Sequence, residues 1–168
     1  PGHINTFNTP GVVSRNNTTL NNKTDDAGMK AYYALLSQAE GVDSISQFNH
    51  PGTTFGNFSD FSYWDPVIDS RMYMVEVGNG EGEIGAGGYY PSYEQYIMAL
   101  DKGWHLAPTN NQDNHKGRWG NANDARDVIL TDNFTEKGIY EAIRALRMYA
   151  TEDKNLELGY TVNGQMMG

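Results

Sequence analysis

The sequence predicts an α/β fold with parallel strands. Short β-like runs alternate along the chain with runs of helical period, and Gly, Pro or Asn cuts most of the β-like runs. No internal repeat competes with that pattern. The 168 residues read as one domain with a short appendage. Residues 1–150 form the α/β body, and 151–168 form a β-like tail that reads as the start of a following domain.

Gly2-His3-Ile4-Asn5-Thr6-Phe7 is a short strand arriving at a loop, and residues 8–25 are a polar Asn/Thr segment. Asp25 or Asp26 caps a helix running to about Glu40. Met29, Tyr32, Tyr33 and Leu36 share one face at i, i+3, i+4, i+7, and Gly41 is the stop. Ser44 to Phe48 is a second strand, ended by Asn49-His50-Pro51-Gly52. Asp65-Pro66 reads as an N-cap with Pro at the first helical position. Met72 to Val77 is a third strand, and the Gly-rich run after it is a flexible loop without the spacing of a nucleotide-binding loop. Ser92-Tyr93-Glu94-Gln95 is a capping box for a helix with Tyr93, Ile97 and Leu100 on its apolar face. Lys102 and Gly103 suit the end of that helix. Trp104 to Ala107 is a fourth strand, cut by Pro108, and Asp127 to Leu130 is a weaker fifth. Thr135 caps the last helix, with Phe134 and Ile139 as a hydrophobic staple and Ile139, Ala142, Ile143 and Leu146 as its buried stripe. Leu156 to Val162 alternates with period two, and Asn163-Gly164 marks a turn.

Composition narrows the function classes. With 12 basic and 21 acidic residues the formal charge is −9, which argues against a partner bound through its phosphate backbone. The chain carries 19 Gly and 17 Asn, residues that favour turns and caps over element interiors. Its 11 Tyr bring hydroxyls that want partners when buried. Cys is absent, which excludes disulfides, thiolate metal sites and Cys nucleophiles. No apolar run approaches the length of a membrane span, and no signal peptide is visible. The Pro start and the lack of Cys suit a processed piece of a secreted or cell-surface bacterial protein. The sequons at Asn16, Asn22 and Asn57 are what an Asn-rich chain produces by chance.

The four histidines, His3, His50, His105 and His115, lie at or just past strand ends or in the loops beyond them. In strand–loop–helix folds those loops converge on one face, where sites are built. Imidazole nitrogen and carboxylate oxygen suit Zn, Mn or Fe. His3 and His50 are therefore candidate ligands, and Pro51 restricts the backbone of His50. Asp113 and His115, two apart on an extended loop, can each supply one ligand. His105 reads first as a packed structural histidine and second as a donor behind the ligands. Glu76, between two Val residues, either orients a ligand or sits on a strand face open to water. Lys116 and Arg118 either hold an anionic substrate group or are solvated loop charges. Gly-x-Ser-x-Gly and His-Glu-x-x-His are absent, so metal-assisted chemistry is the economical reading.

Taken in order, Gly2 to Phe7, Asn49 to Gly52 and Gly103 to His115 resemble the PHP (polymerase and histidinol phosphatase) superfamily, and within it the CehA-like branch of secreted or periplasmic metallohydrolases. The resemblance spans roughly residues 1–150 and implies the latter part of a distorted β/α barrel. It also implies two or three divalent ions (Zn, Mn or Fe) and phosphoester hydrolysis, or carbamate or ester hydrolysis in this branch. By motif, His3 and His50 help bind one ion, Asp113 ligates a second and His115 a third, while Asn111 and Asn114 shape the rim. The family's first His-x-His, a further ligand and a bridging Glu belong upstream of His3 and are not in this chain, so an upstream segment is expected to complete the barrel and the site.

Three readings follow. The leading one is a metal-dependent phosphoesterase acting on a small anionic substrate with a metal-activated water. The second is carbamate, ester or amide hydrolysis on the same ions, using the loop aromatics Phe55, Phe58, Phe61, Tyr63, Trp64, Tyr89 and Tyr90. The third is a non-catalytic surface module binding glycan or protein. None calls for nucleic acid or membrane insertion.

Overall fold

A computed structural model describes residues 2–9, 25–38, 41–52 and 54–167. Its elements are β1 (His3–Phe7), α1 (Asp25–Leu36), β2 (Ile45–Asn49), a 3-10 turn (Phe58–Phe61), α2 (Pro66–Asp69), β3 (Met72–Asn79), β4 (Tyr90–Pro91), α3 (Tyr93–Asp101), β5 (Ala107–Asn111), β6 (Arg126–Ile129), α4 (Glu136–Arg144), β7 (Met148–Thr151), β8 (Thr161–Val162) and β9 (Gln165–Met166). Most of the Asn/Thr segment, the side chains of Asp25 and Asp26, Glu40, and the sequons at Asn16 and Asn22 lie outside the described residues.

The fold is mixed α/β. β2, β3 and β5 are parallel neighbours, with Phe48 opposite Val75, Met74 opposite Ala107 and Glu76 opposite Thr109. β1 runs antiparallel along β2, pairing His3 with Asn49 and Phe7 with Ile45. That direction departs from the all-parallel expectation, because a strand's own residue pattern carries no direction. β4 pairs antiparallel with the end of β3. β6 and β7 pair with each other and pack beside β5. The sheet is open, and no closed barrel forms among the described residues. No described helix is long and apolar enough to cross a membrane.

Alternation along the strands builds two faces. On one, Phe48, Val75 and Leu106 pack against Met29, Tyr33 and Leu36 of α1, Phe58 and Phe61 of the 3-10 turn, Ile68, Ala99 and Trp104. The Phe48 ring meets Phe58, Phe61 and Trp104 at centroid distances of 4.6, 5.2 and 5.3 Å, and the Trp104 indole donates to the Phe61 carbonyl at 2.9 Å. On the other face, Ile45, Met74 and Ala107 meet Ile143 and Met148. That face turns polar toward the C-terminal strand ends, where Gln47, Asn49, Glu76 and Thr109 are buried.

Several local expectations change. Ser92 does not cap α3; its hydroxyl donates to the Pro51 carbonyl at 3.0 Å, a tertiary bond. Tyr93, Ile97 and Leu100 are exposed, and α3 instead buries Ala99, with Tyr96 and Met98 against the core. The helix is rotated by about one residue because the small Ala99 allows close approach to the sheet. Thr135 caps α4 as expected, its hydroxyl accepting from the Gly138 N–H at 3.1 Å, but Phe134 is 91% exposed and staples nothing. Leu146, at φ 54, lies past the end of α4 in the turn that starts β7, a strand the helical period hides. The fourth strand lies later than expected, at Ala107–Asn111. It keeps Pro108 because it is an edge strand within the described sheet. The Gly-rich run is tied by backbone bonds, including Gly82 N–H to the Gly88 carbonyl at 3.0 Å. The tail turn forms at Asn163 and Gly164, φ 53 and 77, between β8 and β9.

Candidate metal centre

The site lies at the C-terminal ends of β2, β3 and β5. His3 begins β1, and because β1 is antiparallel its first residue arrives beside Asn49, the last of β2. His50 follows directly. The two imidazoles meet edge-on, with His3 Nδ1 3.1 Å from His50 Nε2 and ring centroids 4.9 Å apart. Burial holds the His50 imidazole below its ordinary pKa, which favours the neutral, ligating form. His50 Nδ1 is buried without a hydrogen-bond partner.

Glu76 anchors the arrangement from beneath. It is 3% exposed. Its Oε2 accepts from the His50 backbone N–H at 2.5 Å and from Asn79 Nδ2 at 2.9 Å, and its Oε1 accepts from Asn111 Nδ2 at 2.9 Å. Gln47 Nε2 approaches Oε1 at 3.5 Å, and the Thr109 hydroxyl donates to Gln47 Oε1 at 3.1 Å. Burial pushes the Glu76 carboxyl up to about 7, against the pull of the donors from Asn111, His50 and Asn79. Among the described residues no cation pairs with it; amides and one backbone N–H hold it. His50 is thereby fixed at φ 31, and Asp113 sits at φ 44, both in the left-handed region that non-glycine residues rarely occupy.

The candidate residues do not all converge. His50, Glu76, Asn111, Asp113 and Asn114 line one hollow of about 660 Å³, with His3 against His50. The Asp113 charge acts on both His50 and Glu76. His115 is exposed, and its Nδ1 lies 2.6 Å from the Asp113 carbonyl oxygen; a donor there leaves Nε2 free to bind. Asn114 shapes the loop by accepting from the Lys116 and Arg118 N–H groups at 2.9 and 3.0 Å. The Lys116 and Arg118 side chains are engaged by Glu81 at 3.2 and 3.3 Å. His105 lies before β5, at the opposite end of the sheet. Its Nδ1 is 2.7 Å from Asp69 Oδ2 and its ring is exposed, so it is neither a packed histidine nor a donor behind the ligands.

Sequence reasoning passed over Gln47, Asn49, Asn79 and Thr109. The available signal was polar residues at i, i+2 spacing in strands whose alternate residues are core, as with Gln47 and Asn49 around Phe48. It also grouped Phe55 only with the loop aromatics, yet that ring lies 5.7 and 4.8 Å from the His3 and His50 rings.

The described residues offer two imidazole nitrogens and, nearby, the Asp113 carboxylate. Among them no group of three or more His, Asp or Glu side chains is placed to hold an ion. The donor chemistry fits a divalent ion, and the set is partial. Comparison with models of protein families, with curated proteins and with solved structures finds no match. The family resemblance therefore rests on its three motifs.

Proposed function

We propose that the chain carries part of a PHP-type, divalent-metal-dependent hydrolase site that cleaves a phosphoester. The observation that carries this reading is the His3–His50 pair, two ring nitrogens 3.1 Å apart at the C-terminal end of a parallel sheet core. Asp113 supplies a further donor beside it, His115 presents Nε2 from the same loop, and ligands from outside the described residues complete the set. Zn, Mn or Fe bound there supplies an activated water nucleophile and neutralises charge growing on the substrate oxygens. The chain's own residues hold that chemistry in place. Glu76 fixes the backbone of His50, Asn79 and Asn111 fix Glu76, and Asn114 sets the loop that presents Asp113 and His115.

Cleavage of an aryl ester or carbamate is a second reading, favoured by two observations. Phe55 lies against both imidazoles and forms an apolar wall. Lys116 and Arg118, the expected holders of an anionic group, are already paired with Glu81.

Titration calorimetry of the full-length protein with Mn²⁺ and Zn²⁺, followed by assays on p-nitrophenyl phosphate and a p-nitrophenyl carbamate, tests both. Metal binding abolished by His3→Ala and by His50→Ala, with turnover of the phosphate, supports the first reading. Turnover of the carbamate alone supports the second. A full-length protein that binds neither metal removes both.

A further inference from the structure

We propose that the hollow beside the imidazole pair contains a sugar-binding subsite, in which Asn79 and Asn111 accept hydroxyl protons and Trp119 stacks on the ring. The inference deepens the hydrolase reading and rests on it for the reaction, naming the substrate as a sugar ester, in the first case a sugar phosphate.

The argument begins at Glu76. In its ionised form the carboxylate only accepts hydrogen bonds, so each amide that meets it presents its NH₂ end. Asn79 and Asn111 do so, at 2.9 Å each. They are partners across the β3–β5 pair and stand side by side. Asn111 spends its other N–H on the Thr109 hydroxyl at 3.2 Å, Asn79 keeps one N–H, and neither Oδ1 receives a hydrogen bond among the described residues. Gln47 differs, because its carbonyl oxygen takes the Thr109 hydroxyl. The hollow thus has two adjacent neutral acceptors in its wall.

Two acceptors repel a phosphate, whose oxygens are themselves acceptors, and they match a ligand that offers O–H donors. On β1, Asn5 lines the same hollow and its side-chain amide makes no hydrogen bond among the described residues, so it is able to both give and take. Neighbouring hydroxyls on a sugar ring need that combination. The chain's formal charge of −9 disfavours a polyanion and not a neutral polyol.

Trp119 supplies the apolar half. It lines the hollow and is 82% exposed, in a loop where its indole has no aromatic partner among the described residues. The two cations that precede it in sequence, Lys116 and Arg118, are held by Glu81. A sugar ring has a C–H face and a hydroxyl edge, and an indole beside amide oxygens complements both. In this arrangement the sugar sits against Asn79, Asn111 and Trp119 with its ester toward His50. Hydrolysis adds water: a new P–O bond forms to the water oxygen, the ester P–O bond breaks, and the sugar leaves with a proton as its hydroxyl.

Saturation-transfer NMR on the purified chain, without added metal, tests the subsite with methyl α-D-glucoside, methyl α-D-mannoside and methyl β-D-galactoside as probes, and with tetrahydropyran as the ring without hydroxyls. At least one glycoside binds, tetrahydropyran does not, and Trp119→Ala weakens the glycoside by about tenfold while Trp119→Phe keeps most of the affinity. Failure of all three glycosides, or equal binding by wild type and Trp119→Ala, overturns the subsite. A second arm, on the full-length protein, compares glucose 1-phosphate with phenyl phosphate in the presence of Mn²⁺. Faster turnover of the sugar ester supports subsite and reaction together. Glycoside binding without turnover of either ester supports the subsite and removes the hydrolase reading. Turnover of phenyl phosphate without glycoside binding overturns the subsite and leaves the hydrolase reading standing.

Discussion

The backbone N–H of His50 donates to Glu76 Oε2 at 2.5 Å, tying the loop that follows β2 to a carboxylate buried in β3. Through that bond a buried residue decides where an imidazole presents its nitrogen. Glu76→Ala removes the acceptor of the His50 N–H and of the Asn79 amide, and one of the two acceptors of the Asn111 amide. The expected loss of stability is roughly 2–4 kcal/mol by urea denaturation. Affinity for Mn²⁺ or Zn²⁺ falls about 10–100-fold, as for other groups that orient a ligand. A variant as stable as wild type shows that the donors find other partners.

The same carboxylate makes stability depend on pH. Its folded pKa, about 7, lies above the ordinary value of 4.5, so between those values the folded chain keeps a proton that the unfolded chain releases. Stability is therefore highest below the unfolded value and declines as pH rises through the window. Urea midpoints measured across it should fall for wild type and change less for Glu76→Gln, which has no proton to lose. A wild-type midpoint that rises over the window, by more than that of Glu76→Gln, contradicts the assignment.

Glu81 holds Lys116 and Arg118 beside the candidate ligand loop. Glu81→Gln frees both cations near Asp113 and His115. If the substrate is an anionic phosphoester, its KM decreases and the KM of a neutral aryl carbamate stays unchanged. The thermal midpoint should move little, because exposed ion pairs contribute little. Equal effects on both substrates rule out anion binding by the released pair.

Gly78 marks where the sheet approaches its covering loop. A Cβ there would lie 2.2 Å from the Tyr89 hydroxyl and 2.5 Å from Asn110 Oδ1, and Asn110 Nδ2 itself donates to that hydroxyl at 2.9 Å. Gly78→Ala should cost about 1–3 kcal/mol by urea denaturation, since overpacking must push both groups aside. A neutral result shows that the Tyr89 ring swings away without loss.

The core behind β2 gives a complementary test. Phe48→Ala removes a ring packed on three others and should destabilise by roughly 3–5 kcal/mol in the same assay. A cost below that range indicates that Phe58 and Phe61 collapse into the space.

Much of this architecture was legible in residue order. Met29, Tyr33 and Leu36 mark α1 by period alone, Asp65-Pro66 and Thr135 cap the helices they precede, and Asn163-Gly164 turns the tail. Such signals are local, and a few neighbouring residues suffice to express them. His3, His50 and Asp113 were legible as candidate ligands because imidazole and carboxylate groups stood at strand ends.

The rest needed the folded chain. Ser92 turned from a cap to a partner of Pro51, Phe134 stayed in solvent, and α3 rotated its expected apolar face outward, because what each side chain meets comes from distant segments. His105 and His50 look alike in sequence. The antiparallel course of β1 brings His3 to His50, whereas the start of β5 leaves His105 with Asp69 at the far end of the sheet. Composition and spacing set which chemistry was available. Strand direction and register decided which groups meet, because hydrogen bonding and burial act over a few ångströms of space whatever the separation along the chain.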